Sequence, residues 1–136
     1  MPHEDLDVLA ANAAFYRAFA DRDLRAMEAL WARNARVACM HPGWRALHGR
    51  DAVMASWRSI LGSPDAPEVT CSCESVIPGE GMAVVLCVES LRGGSLAATN
   101  VFVREGGDWR IVHHHAGPIA PGQDTDGDDE PPRLLN

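Results

Sequence analysis

Histidine is the residue type in this chain best suited to move protons near neutral pH, and three histidines are consecutive. Residues 109–118 read WRIVHHHAGP, which places His113, His114 and His115 at the end of a strand-like run. Imidazole titrates near neutral pH and also binds metals, so each side chain could be an acid/base group, a metal ligand or a packing residue. The role of each depends on which face of a sheet it occupies.

Glu89, Asn100 and His41 offer groups that complement these histidines. A partly buried glutamate beside a histidine can hold a proton near neutral pH, as an acid/base catalyst requires. The Asn100 amide can donate to or accept from a ligand, and His41, in the loop CMHPGW, could reach a pocket mouth. The structural alternative is a hydrogen-bonded Glu–His pair that orients the sheet and an amide that only satisfies His113.

The elements that must position these residues follow from the apolar spacing. Intervals of three, four and seven residues predict helices over 5–20, over about 23–33 with Asp23 as N-cap, and from Arg50 to about residue 61. A short strand is predicted over 36–40, and the period then changes to two, with strands over 68–77, 82–91, 96–104 and 109–116. Helices followed by an antiparallel sheet predict an α+β fold, with the helices stacked on one face of a curved sheet.

Two Gly-Gly pairs give the sheet a provisional register. If Gly93–Gly94 and Gly106–Gly107 are two-residue hairpin turns, Glu89 faces Ala98, and Ala98 in turn faces His115. A one-residue bulge in either hairpin would exchange the faces beyond it. In this register one face carries Val85, Cys87, Glu89, Ala98, Asn100, Phe102, Trp109, Ile111, His113 and His115, and the other carries Leu86, Val88, Thr99, Val101, Val103, Val112 and His114.

The first face combines apolar bulk with polar groups and is typical of a small-molecule pocket beneath the helices. Trp44 is expected to form an aromatic wall, and Trp57 either enters the pocket from the third helix or belongs to the core. The second face is too apolar to remain in water, which predicts a homodimer through the sheet. The predicted ligand contacts are Trp44, Trp57, Cys87, Asn100, Phe102 and His113, and the predicted dimer contacts are Val88, Thr99, Val101 and Val112.

Metal and nucleophilic chemistry have weaker signals. The His113-x-His115 spacing, with Glu89 or His41, would make a metal-binding set, but this spacing is common in strands without metal. No G-x-S-x-G motif is present, and Cys87 near His113 is more typical of a buried thiol than of a nucleophile. The sequence therefore predicts no metal and no cofactor.

Length and charge restrict the class of protein. The 136 residues predict one domain over 1–119 and a flexible acidic tail over 120–136. A net charge of −7 without a basic stripe argues against nucleic-acid binding, and no apolar run is long enough to span a membrane. The acidic start lacks the basic leader and apolar block of a secretory signal, which predicts a cytoplasmic location.

Three segments together resemble a known family: AFYRAFADRDLRAMEALWA, VACMHPGWRALHGRDAVMASW and ATNVFVREGGDWRIVHHHAGP. Over about residues 6–119 the chain is similar to the nuclear transport factor 2-like superfamily, in its SnoaL-like branch. The resemblance implies a cone of three helices against a strongly curved sheet, an enclosed pocket and usually a dimer. The last segment is also similar to the end of the association domain of calcium/calmodulin-dependent kinases, where the position of Asn100 carries a pocket-lining arginine.

The ketosteroid isomerase members of that superfamily provide a pattern to compare. Their first-helix tyrosine falls on Phe15, with Tyr16 one place off and expected to turn aside, and their aspartate base falls around residues 39–41. Their second aspartate falls on Thr99 or Asn100, so the resemblance does not imply steroid-type isomerisation.

The fold alone leaves function open, since one cone hosts enzymes and binding modules. The leading interpretation is a homodimer that binds a small, partly apolar molecule. The alternative is a cofactor-independent isomerase, cyclase or dehydratase, in which Glu89 and His115 or His41 move the proton and Asn100 steadies an oxyanion. A third interpretation is an assembly module that acts through its sheet surface.

Overall fold

The computed structural model describes residues 3–123, which form three helices and one six-stranded sheet. Helices precede the long strands, as the spacing predicts, and the short strand β2 is an element that the sequence pattern did not indicate. The bounds are α1 His3–Ala20, α2 Leu24–Leu30, β1 Ala38–Met40, β2 Leu47–His48, α3 Arg50–Gly62, β3 Thr70–Pro78, β4 Met82–Leu91, β5 Gly94–Glu105 and β6 Asp108–Pro118. The predicted α+β fold is therefore confirmed.

The second helix begins and ends through identifiable local interactions. The Asp23 side chain accepts a hydrogen bond from the Ala26 amide at 3.1 Å and caps α2, as predicted. The helix stops at Leu30, three residues before the predicted end, because the extended Trp31 forms a β-bridge with Ile111. Tertiary pairing thus shortens a helix whose apolar spacing continues further.

The strand order, β2-β1-β6-β5-β4-β3, determines which distant residues become neighbours. All pairings are antiparallel except that of β1 with β6, in which Cys39 lies beside His114 and Met40 beside His115. The loop that follows β1 therefore leaves the sheet next to the three histidines. The apolar core lies between the helices and the inner face of this sheet.

One of the two hairpins has the register that its glycines suggest, and the other does not. Gly106 and Gly107 have φ values of 63° and 87° and form the predicted turn, with Phe102 opposite Ile111. In the other hairpin Leu91 pairs with Gly94, so the turn is Arg92–Gly93, and the predicted pairing was wrong by two positions. An offset of two leaves every side chain on its predicted face.

That offset nevertheless changes the cross-strand partners of β4. Glu89 faces Leu96 rather than Ala98, and Cys87 faces Ala98 rather than Asn100. The partner of Asn100 on β4 is Val85. The predicted inner face of β4 is confirmed, whereas the predicted neighbours on it are not.

A bulge in β6 exchanges the faces of the three histidines. Between the pairs Phe102–Ile111 and Val101–His113, Val112 is an extra residue on β6. Beyond it His114 pairs with Asn100 and points inward, where its side chain is 2% exposed, while His113 and His115 belong to the outer face. The prediction that His113 and His115 share the pocket face was wrong, and the reason is this one inserted residue.

The outer face carries the residues predicted for a dimer. Val88, Thr99, Val101 and Val112 are all partly exposed there. Among residues 3–123, no helix is both long and apolar enough to cross a membrane. Most of the predicted acidic tail, from residue 124 onward, lies outside the described residues.

Candidate functional site

A cavity of about 180 Å³ opens between α1, the end of α3, the loop after β1 and the inner face of the sheet. It is smaller than most sites for drug-sized molecules, so it suits a ligand with few heavy atoms. Its walls are almost entirely apolar, and three titratable side chains interrupt them. The lining residues are Phe19, His41, Pro42, Trp44, Ile60, Pro67, Val69, Glu89, Leu91, Leu96 and His114.

Glu89 supplies the acidic group of the cavity. Its side chain is buried, and Tyr16 Oη donates a hydrogen bond to its Oε2 at 2.6 Å. Burial raises the pKa of the Glu89 carboxyl, because the charged form loses its hydration, and the Tyr16 hydrogen bond opposes part of that rise. Burial and the nearby carboxylate also raise the pKa of Tyr16, so the phenol stays protonated and remains a donor.

The hydrogen bonds around Asn100 determine where the proton of His114 lies. The single Tyr16 hydroxyl proton goes to Glu89, so Asn100 Nδ2 must donate to Tyr16 Oη, at 3.1 Å, as it does to Asn12 Oδ1, at 2.9 Å. Asn100 Oδ1 then faces His114 Nδ1 at 2.6 Å and can only accept. A neutral His114 therefore carries its proton on Nδ1 and a lone pair on Nε2.

The lone pair of His114 lies close to the carboxyl group. Nε2 is 3.8 Å from Glu89 Oε2. Burial lowers the pKa of His114 to about 3, with smaller contributions from the neighbouring histidines, so the pair is a neutral imidazole beside a carboxyl group and not an ion pair. The Glu89 carboxyl group, whose pKa is raised, is therefore the better proton carrier near neutral pH, and His114 Nε2 is a hydrogen-bond acceptor beside it.

His41 is a second neutral imidazole in the cavity wall. Ser56 Oγ donates to the Val53 carbonyl at 2.6 Å, so it accepts from His41 Nε2 at 2.9 Å and leaves Nδ1 without a proton. Burial lowers the pKa of His41 to about 4. Trp44, 49% exposed at the cavity mouth, packs edge-on against this ring with the centroids 5.0 Å apart.

The cavity thus joins three of the predicted site residues, Glu89, His41 and Trp44, and adds His114. Asn100 does not line the cavity: it hydrogen-bonds to His114 directly and reaches Glu89 only through the Tyr16 hydroxyl.

Three other predicted ligand contacts belong to the core. Trp57 and Phe102 are fully buried, and Trp57 packs against Phe19 and His41. Cys87 is buried beside Tyr16, with Sγ 3.4 Å from the phenol oxygen. None of the three lines the cavity.

His113 and His115 lie on the opposite side of the sheet from Glu89. His113 Nδ1 contacts the Ala38 carbonyl at 3.0 Å, and His115 is exposed. These two histidines cannot converge with Glu89 on a ligand or a metal, and no group of three metal-ligating side chains forms within residues 3–123. The predicted catalytic role of His115 and the predicted ligand contact of His113 therefore do not apply to this cavity.

Sequence reasoning missed Asn12 and misplaced Tyr16, which points into the site and does not turn aside. Both residues belong to the inward stripe of α1, at the four-residue spacing that places side chains on one helix face. The sequence does contain a signal for both residues, which is a polar residue inside an apolar stripe. Such a residue is expected to be buried with a hydrogen-bond partner. The partners, Glu89 and Asn100, are more than 70 residues away along the chain.

Comparison with known proteins identifies the domain. Residues 8–121 match the family model described as the SnoaL-like domain. A curated relative, the F-box protein SKIP8 of Arabidopsis thaliana, is 26% identical over 111 residues, which are 80% of this chain and 48% of the relative. The chain thus spans about half the length of the curated relative that it matches.

Two solved structures are similar over most of both chains. A candidate dehydratase of the nuclear transport factor 2-like family from Streptomyces avermitilis is 31% identical, with a TM-score of 0.79, over 88% of this chain and 99% of that one. A candidate calcium/calmodulin-dependent protein kinase type II association domain from Thiobacillus denitrificans is 39% identical, with a TM-score of 0.75, over 82% and 94%.

Proposed function

The chain belongs to the SnoaL-like domain family of the nuclear transport factor 2-like superfamily, and we propose that it binds a small, partly apolar organic molecule in the cavity at Glu89. The fold is of the kind that binds or acts on small molecules. The observation that carries the proposal is a buried carboxyl group and a neutral imidazole lone pair, 3.8 Å apart, at the wall of an otherwise apolar cavity. Apolar walls with a few convergent polar groups characterise small-molecule sites.

The bound molecule would contact Glu89 and His114 with its polar end and Trp44 with its apolar body. Asn12, Tyr16 and Asn100 hold the two polar residues in place from behind through short hydrogen bonds. A site supported in this way keeps its geometry without the ligand, so little affinity is lost to ordering side chains.

The second candidate function is cofactor-independent acid/base catalysis of the isomerase, cyclase or dehydratase type. The raised pKa of Glu89 favours it, because this carboxyl group can carry a proton near neutral pH while His114 Nε2 accepts a hydrogen bond from the substrate. The similarity to a candidate dehydratase points in the same direction. In this mechanism His114 occupies the place beside Glu89 that the sequence assigned to His115, and His41 remains a further base candidate.

The proposed assembly is a homodimer through the outer face of the sheet. Val88, Thr99 and Val101 leave a partly exposed, largely apolar surface on β4 and β5, and Val112, which is also partly exposed, packs in part against the core. A surface of this kind is typical of a protein–protein contact, and a self-complementary patch closes a two-fold dimer.

Native mass spectrometry of freshly purified protein tests the binding proposal first. We expect a subunit pair that carries a removable organic mass, which is lost on mild denaturation and absent in Glu89→Gln. Glu80→Gln removes the same charge from an exposed turn and should retain the mass. A mass that persists in Glu89→Gln would contradict a contact between the bound molecule and the Glu89 carboxylate.

Turnover assays of a molecule identified in this way separate the two functions. An enzyme loses turnover by at least about a hundredfold when a general acid/base group is removed, so Glu89→Gln and His114→Asn should each abolish product formation. A binding module should show no product with any variant and only altered affinity. Product formation by Glu89→Gln at the wild-type rate would overturn the catalytic role.

A further inference from the structure

The polar groups of the cavity share one hydrogen-bonding character, which restricts the ligand. His114 presents the Nε2 lone pair, because Asn100 Oδ1 occupies its Nδ1 proton. His41 keeps its proton on Nε2 for Ser56, and its Nδ1 lone pair faces the Cys39 thiol, with Sγ at 3.9 Å. Glu89, when ionised, only accepts. Glu89 and His114 thus offer acceptors to the cavity, and the ligand must bring the donors.

Glu89 also lacks a basic partner. The chain contains no lysine, and among the described residues no arginine forms an ion pair with Glu89. An ionised carboxylate buried in this way is unfavourable until an opposite charge arrives, and a cationic ligand would supply that charge.

The surroundings of Glu89 contribute no positive charge at neutral pH. The titratable groups that face it are phenol, thiol and neutral imidazole side chains from every packed element. They are Tyr16 from α1, Cys39 from β1, His41 from the following loop, Cys71 from β3, Cys87 from β4 and His114 from β6.

Aromatic rings line the mouth of the cavity. Phe19 and the half-exposed Trp44 lie there together with His41 and offer an apolar surface to the body of a bound molecule. The formal net charge of −7 attracts cations to the protein as a whole and disfavours anions.

We infer that the cavity takes a small protonated amine with an apolar body, whose ammonium group lies between Glu89 and His114. The ammonium donates one hydrogen bond to a Glu89 carboxylate oxygen and one to His114 Nε2, while its apolar body packs between Trp44 and the aliphatic walls. A ligand carboxylate is disfavoured, because it would set a second anion against Glu89 and against the His114 Nε2 lone pair. This inference rests on the proposed binding function and specifies its ligand class.

Two matched sets of three probe molecules test the preference for an amine by isothermal titration calorimetry at pH 7. One triad is benzylamine, benzyl alcohol and benzoate; the other is 3-methylbutylamine, 3-methylbutanol and 3-methylbutanoate. Within each triad the carbon skeleton is constant, and the head group changes in its charge and its hydrogen-bonding character. We expect at least one amine to bind at least about tenfold more tightly than its alcohol and far more tightly than its carboxylate, since an ion pair with hydrogen bonds exceeds a neutral contact.

Substitutions assign the preference to Glu89. Glu89→Gln should weaken the amine by at least about thirtyfold and the alcohol by less than about threefold, because only the charge pairing is lost. Glu80→Gln, on an exposed turn, should change neither. An amine affinity that is unchanged in Glu89→Gln would overturn the inference even if the amine binds.

The outcomes also separate this inference from the proposed function. If an alcohol or carboxylate binds more tightly than its amine, the ligand is not an amine, but the proposal of a small-molecule pocket is still supported. If no member of either triad binds and no organic mass accompanies the purified protein, both fall. The wild-type comparison decides between these outcomes without any variant, so it remains valid if Glu89→Gln does not fold.

Discussion

The two faces of β6 carry the same residue type and give it opposite surroundings. His114 is enclosed by Asn100, Glu89 and Phe15, whereas His115, one residue later, is exposed on the outer face. Burial lowers the pKa of His114 to about 3, and the hydrogen bond to Asn100 Oδ1 fixes its tautomer. The comparison teaches that the chemistry of these histidines depends on the side of the sheet and not on residue type.

The faces also differ in what they leave unsatisfied. On the inner face Glu89 and Asn100 hydrogen-bond to side chains of α1, and the lone pair of His114 lies beside Glu89 at the cavity wall. On the outer face the apolar side chains of β4 and β5 remain partly exposed. The inner face thus suits a small molecule with few polar groups, and the outer face suits an extended protein surface.

Val101→Glu tests the outer face and should have the largest effect. In the proposed dimer each new carboxylate would lose its hydration with only His113 opposite it on β6, which costs about 3–5 kcal/mol of association free energy. Size-exclusion chromatography with light scattering should show a monomer. Leu6→Glu, which adds the same charge to an exposed position of α1, should stay dimeric. A dimeric Val101→Glu would move the interface elsewhere.

The same substitution at two adjacent histidines breaks the comparison directly. His114→Ala removes a buried ring and leaves Asn100 Oδ1 without its donor, so we expect a loss of about 2–4 kcal/mol in the free energy of unfolding. His115→Ala removes an exposed ring and should change it by less than about 0.5 kcal/mol. Urea denaturation measures both, and equal losses would mean that the bulge does not place His114 inside.

The pH dependence of stability sharpens the contrast between these histidines. An unfolded His114 takes up a proton below about pH 6.5, and the folded one does so only near its pKa of about 3, so its contribution to stability is lost as the pH falls through that window. His41, with a pKa of about 4, acts in the same direction. Glu89 acts in the opposite direction, because its raised pKa favours the folded state as the pH falls.

His114→Asn isolates one of these contributions, since the Asn amide keeps a donor near Nδ1 but does not titrate. Between pH 6.5 and 5 the stability of the wild type should fall by about 1.5–2 kcal/mol more than that of the variant. His115→Asn makes the same substitution at the exposed neighbour and is the matched control, with urea denaturation measured at each pH. A wild type and His114→Asn that lose stability in parallel would contradict a neutral buried His114.

Tyr16→Phe should have the smallest effect of the series. It removes the hydroxyl that donates to Glu89 and leaves Asn100 with Asn12 as an Nδ2 partner, at a cost of about 1 kcal/mol. Because that hydrogen bond stabilises the charged carboxylate, the pKa of Glu89 should rise further, which carbon-13 NMR of the side-chain carboxyl would detect. An unchanged Glu89 titration would indicate that Tyr16 is only a packing residue.

Much of this architecture was predictable from local pattern. The three helices, the long strands, the Asp23 cap and the second hairpin turn follow from spacing and turn chemistry, because each depends on residues close together in the chain. The inward positions of Glu89 and Asn100 followed as well, since the error of two in the first hairpin preserves the faces.

The site itself depended on contacts between distant residues. The bulge at Val112 depends on how β6 pairs with β5 and with β1. No residue within β6 indicates this bulge in the sequence. Tyr16, Glu89, Asn100 and His114 form their network across separations that local periodicity does not report. The sequence by itself determined the elements and most of their faces, because burial imposes a period on each segment. Only the tertiary structure decided which histidine meets the glutamate, because that depends on the alignment of strands brought together by folding.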